Sequence, residues 1–125
     1  MTAPSRRAVL VLVLLSAGCA GLTASTPIDG PASLAGTWRG RMSGPMGQAP
    51  VLLTIEEDGS YRGILYVEPV YRDVAGVISV IARGRVRYEG TDGNGRVTLH
   101  EEAGRRVLRL VRDGGGGGAE LTPAK

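Results

Sequence analysis

Residues 85–112 read RVRYEGTDGNGRVTLHEEAGRRVLRLVR, and this stretch decides the fold. Val97 and Leu99 alternate with Arg96, Thr98 and His100, while Leu108 and Leu110 flank Arg109. A period of two means strands with one buried face. Between the apolar runs stand Asp92-Gly93-Asn94-Gly95 and Ala103-Gly104, which are turn signals at hairpin spacing.

The same grammar extends outward on both sides. Val51, Leu53 and Ile55 alternate with Leu52, Thr54 and Glu56. Asp58-Gly59, Arg83-Gly84 and the run Asp113 to Gly118 continue the punctuation, with turn signals recurring about every 11 residues. Strands are expected near 37–43, 50–57, 60–67, 76–82, 85–90, 96–102, 105–112 and 119–122, with Gly84 either separating two strands or bending one. Beyond the N-terminal segment no helical stripe persists, and 20 glycines interrupt the chain too often for long helices. Short connections make neighbouring strands antiparallel. The sequence therefore predicts an all-β fold, a small antiparallel up-and-down meander of seven or eight strands that removes its exposed edges by closing into a barrel.

Eight short strands enclose a lumen just wide enough for side chains to fill. Val51, Leu53, Ile55, Leu65, Ile81, Val97, Leu99, Leu108 and Leu110 are the expected inward set, aliphatic and suited to packing on one another. A ligand then belongs at the mouth. The longest expected connection, Glu68 to Gly76, carries Tyr71, Arg72 and Asp73, which place an aromatic face, a donor fork and an acceptor together as candidate ligand or partner contacts.

Composition narrows the chemistry. The chain has 125 residues, one cysteine and one histidine, which bounds it to one small domain and excludes an internal disulfide framework or a cysteine zinc cage. His100 and Glu102 share a strand face with Arg96 and Thr98, the pattern of a solvated side and not of a metal site. Glu56-Glu57-Asp58 precedes a turn, where carboxylates are solvated and lack the burial that acid catalysis requires. Ser33, Ser43, Ser60 and Ser79 have no neighbouring base, and the glycines at 114–118 lack the lysine and helix of a phosphate loop. No enzyme, cofactor or metal is expected.

The N-terminus is a targeting segment. Arg6 and Arg7 precede the apolar run Ala8 to Leu15, which is shorter than the roughly 20 residues that span a bilayer, and small residues follow up to Cys19. The arginine pair serves as a positive n-region and also satisfies a twin-arginine export reading. Leu15-Ser16-Ala17-Gly18-Cys19 resembles the lipobox of bacterial lipoprotein precursors, with Ser16 where that family most often has leucine. The resemblance implies cleavage before Cys19, lipidation of its thiol, and, with Ala20 and not aspartate next, the periplasmic face of the outer membrane. Cleavage removes two arginines and leaves 13 basic against 12 acidic side chains, too even for nucleic-acid binding. The expected organisation is a signal peptide over 1–18, a lipid-anchored flexible tether over 19–35 rich in Ala, Ser, Thr, Pro and Gly, and a monomeric barrel over 36–123.

Gly36-Thr37-Trp38, at the start of the first strand, resembles the G-x-W signature of lipocalins and related calycin barrels. The resemblance implies that Trp38 plugs one end of the barrel under a cation, Arg109 or Arg112. Two functions fit the whole: a non-catalytic binding or scaffold module for a small apolar ligand or envelope partner, and a periplasmic inhibitor of a protease or lysozyme that works through segment 20–35 or the 68–76 connection.

Overall fold

The computed structural model describes residues 25–45, 47–82 and 84–124; the expected signal peptide over 1–18 and Cys19 lie outside the described residues. Strands are β1 (Ser25–Thr26), β2 (Gly36–Gly44), β3 (Gly47–Ile55), β4 (Ser60–Val67), β5 (Val70–Ala82), β6 (Arg85–Gly90), β7 (Gly93–Glu102), β8 (Arg105–Arg112) and β9 (Gly118–Pro123). From β2 to β9 each strand pairs antiparallel with the next. Strand β9 then pairs with β2, from Trp38↔Pro123 to Ser43↔Gly118, which closes an eight-stranded up-and-down barrel. Strand β1 is an addition on β7, with Ser25 opposite His100.

Period two sorts the side chains. Val51, Leu53 and Ile55 of β3, Val74 and Ile78 of β5, Val97 and Leu99 of β7, and Leu108 and Leu110 of β8 are buried together around Trp38. Burial of such aliphatics, worth about 1.5–3 kcal/mol each, is what drives closure. Tyr61 is the largest inward residue of β4, and glycine makes room for it. A Cβ on Gly76 or on Gly90, both level with Tyr61 across β5, would collide with its hydroxyl.

Three expectations are corrected. The connection expected over 68–76 is only Glu68-Pro69. Strand β5 begins at Val70, with Val67↔Val70, Tyr66↔Tyr71, Leu65↔Arg72 and Ile64↔Asp73 in register. Its charged residues misread as a loop because this end of the strand stands at the barrel rim, where side chains on either face reach water. Ile81, expected inside, is 58% exposed. Inward positions on β5 run Val74, Gly76, Ile78 and Val80, and the register against β6 shifts between Val80 and Ala82, so Ile81 falls on the outer face. The expected tether, finally, is not free over its second half. Ile28 and Leu34 are buried in the same core, and Pro31–Leu34 form a 3-10 turn beneath the barrel. Two apolar residues without a period leave no trace that periodicity can detect.

Candidate functional site

The two ends of the barrel differ. The first is sealed: Trp38 is 2% exposed and its indole Nε1 donates to the Leu34 carbonyl at 2.9 Å, so the 3-10 turn and the ring brace each other. The cation over the ring is Arg106, with Cζ 5.2 Å from the ring centroid and Nη2 donating to the Ser33 carbonyl at 2.6 Å. Neither expected arginine has that role. Arg109 points outward, its Nε donating to Glu120 and its Nη2 to Glu102, each at 2.9 Å. Arg112 lies at the other end. The register of β8 explains both placements, since Leu108 and Leu110 face inward and their in-phase neighbours are Arg106 and Arg112.

That other end is open, and its polar groups converge. Arg112 donates through Nη2 to the Asp92 carbonyl. The Asp92 side chain, 20% exposed, has Oδ1 3.8 Å from Arg72 Nη2, while its Oδ2 is buried with no hydrogen-bond partner. Below this cluster the barrel is filled, leaving a void of about 30 Å³ bounded by Met42, Tyr61, Tyr88, Asp92 and Arg112, room for about one water. Above it a solvent-open groove of about 700 Å³ runs between the β2–β3 and β4–β5 turns, and Met42, Ser43, Asp92 and Arg112 line both spaces. Burial pushes the Tyr61 phenol up to about 12, with Tyr88 and Asp92 nearby adding to the shift. Burial also raises Tyr88, partly offset by the Arg112 guanidinium beside it.

Of the three residues expected at the mouth, only Arg72 faces it. Tyr71, 70% exposed, stands on the outer face with its ring 4.8 Å from that of Tyr66, and Asp73 shares that face opposite Ile64. Asp92 and Arg112 were missed. Asp92 reads in sequence as a turn residue, and it is the register of β6 on β5, with Thr91 bonded to Ala75, that brings the β6–β7 turn beside Arg72; Arg112 was legible from its phase with Leu110.

The remaining candidates have structural settings. Asp58 accepts from the Ser60 N–H and hydroxyl at 2.9 and 2.7 Å, which holds its carboxyl below the usual range and ties the β3–β4 turn. Glu102 is engaged by Arg109, and His100 Nε2 sits 3.1 Å from Thr98 Oγ1. His100 is half-buried, since β1 pairs directly alongside it, and its Nδ1 is buried without a partner. On the outer wall a second surface stands out: Arg39, Leu52, Ile64 and Asp73 are aligned across β2 to β5, with Leu52 and Ile64 nearly half exposed.

Comparison of the chain with protein-family models, with curated proteins and with solved structures gives no match.

Proposed function

We propose that the protein is a lipid-anchored cell-envelope lipoprotein whose calycin-like barrel is a non-catalytic binding module, taking its ligand at the open mouth. One observation carries the binding part: a carboxylate with a buried unpaired oxygen, flanked by two guanidiniums, caps a core too full to admit a ligand. Buried polar atoms are normally satisfied, and binding sites are where exceptions are tolerated. The lumen offers an apolar guest no room, so recognition falls to the groove.

Arg6-Arg7, the apolar run and Leu15 to Cys19 support the anchor, as does a sole cysteine placed where lipidation would use it. Ser25 is held on β7, six residues after Cys19, and six extended residues reach roughly 20 Å, so the barrel would ride close to the bilayer. Two experiments test the reading. Palmitate labelling in a diderm host should mark the wild type and not Cys19→Ala, with fractionation placing the product in the outer membrane; an unmodified cysteine sinks the anchor. An environment-sensitive apolar dye should find no stoichiometric site in the barrel interior, and tight binding there would show a hollow lumen.

The outer wall favours a second reading, contact with an envelope protein, because Leu52, Ile64 and Tyr71 expose apolar surface beside Arg39 and Arg41. The inhibitor reading has less support, since burial of Ile28 and Leu34 engages the N-terminal segment with its own barrel.

A further inference from the structure

The outer wall over β2 to β5 carries opposite charges on its two sides. Arg39, Leu52, Ile64 and Asp73 stand in one row across the four strands, a cation at one end, an acid at the other and two nearly half-exposed aliphatics between them. The next outward row toward the mouth is Arg41, Pro50, Tyr66 and Tyr71, and the next toward the sealed end is Thr37, Thr54, Arg62 and Ala75. Within one barrel the row's two charges lie too far apart to pair, since β3 and β4 separate them. Asp73 has no ion pair among the described residues, and Arg39 makes one exposed hydrogen bond, from Nη2 to the Ala124 carbonyl at 3.2 Å, out of its five donors.

Two copies of such a wall can face each other about a twofold axis lying in the plane of contact, and the row decides how the axis runs. An axis across the strands sets Arg39 against Arg39 and Asp73 against Asp73. An axis along the strands, between β3 and β4, reverses the row, so that Arg39 of each copy meets Asp73 of the other and Leu52 meets Ile64. The same rotation sets Arg41 over the Tyr71 ring, Pro50 over Tyr66, and Arg62 over Thr54. No like charges are opposed in any of the three rows. We propose that the protein pairs with a second copy of itself through this wall, as an isologous dimer whose axis runs along β3 and β4. Rows about 7 Å apart on strands about 4.8 Å apart give a patch of roughly 400 Å² on each copy, half of a standard interface. The dimer is therefore a weak one, favoured where copies are concentrated on one membrane. The inference does not depend on ligand binding at the mouth, and it gives the outer wall a second copy in place of a separate envelope protein.

Sedimentation equilibrium of the full chain in detergent, over a concentration series, tests it. The wild type should associate reversibly to a dimer and no further. Arg39→Asp and Asp73→Arg should each weaken association at least about 10-fold, because by symmetry either change turns two attractive contacts per dimer into repulsive ones. Mixed one to one, the two variants should associate with each other about as well as the wild type does with itself, since the mixed pair restores both contacts; that recovery also shows that the single variants are folded. A wild type that stays monomeric at every concentration overturns the proposal, and cross-linking of its wall to a different envelope protein would then identify the other occupant. Association that neither charge reversal weakens comes from micelle sharing or another face, and overturns it as well. Weakened variants that do not recover on mixing overturn the pairing of Arg39 with Asp73.

Discussion

Arg106 and Trp38 close the lower end of the barrel as a pair: the guanidinium lies over the indole face at 5.2 Å, and both side chains hydrogen-bond to the 3-10 turn, one to Ser33 and the other to Leu34. The contact ties β8 and β2 to the N-terminal segment. Arg109, three residues on, makes only exposed ion pairs on the outer wall.

This arrangement separates two substitutions that look alike in sequence. Arg106→Ala should cost about 1–2 kcal/mol, through the lost cation–π contact and the freed Ser33 carbonyl. Arg109→Ala should cost under about 1 kcal/mol, as exposed pairs generally do. Trp38→Ala should cost about 3–5 kcal/mol. Denaturant unfolding of the three variants measures the order, and Arg109→Ala proving the costlier arginine change would reject the assignment.

Segment 25–35 is structural as well as connecting. Leu34 is fully buried and Ile28 is 6% exposed, so the barrel expected over 36–123 lacks its floor when cut at residue 36. A fragment starting at Ser25 should unfold in one cooperative transition, whereas one starting at Gly36 should bind a dye for exposed apolar surface. Leu34→Ala in the longer fragment should cost about 2–5 kcal/mol. Equal stability of the two fragments would show that the segment contributes nothing.

Strand positions were legible because hairpins join neighbours and because the period of two runs through β3 and β7. Reading failed where burial had no period to report it, as for Ile28 and Leu34, and where a strand end carries charge because it stands at a rim, as for Arg72. The candidate site was legible to the extent of one residue. Asp92 and Arg72 are 20 positions apart in sequence and meet through the β5–β6 ladder, whose register no local pattern reports. Arg106, by contrast, was available from phase alone, since Leu108 facing inward puts Arg106 inward too.

Room for Tyr61 is set by glycine. Gly90→Ala puts a methyl group against the Tyr61 hydroxyl and close to the Ala75 carbonyl, and overpacking of this kind costs about 1–3 kcal/mol. Part of that loss should be recovered in a Tyr61→Phe background, which removes the colliding oxygen but leaves the carbonyl contact. A double-mutant cycle by thermal unfolding reads the coupling, and strict additivity would place the hydroxyl elsewhere.

Tyr61 also gives the fold an alkaline limit. Its phenol is pushed up to about 12 from the ordinary phenol value of 10.0, first by burial and then by Tyr88 and Asp92. Between those two values an unfolded chain releases the Tyr61 proton while the folded barrel retains it, so the unfolded state binds fewer protons and stability falls as pH rises. Below about pH 10 both states hold the proton and the contribution is complete; it is lost progressively as pH rises from about 10 to 12. Tyr88, raised in the same direction by its own burial, steepens the decline. Urea midpoints should therefore stay level on approaching pH 10 and drop above it, and Tyr61→Phe should flatten that drop while lowering the plateau. Absorbance at alkaline pH should show the Tyr61 phenol ionising only as the barrel unfolds. A Tyr61→Phe variant with the wild-type alkaline slope would mean that the phenol is not held neutral by the core.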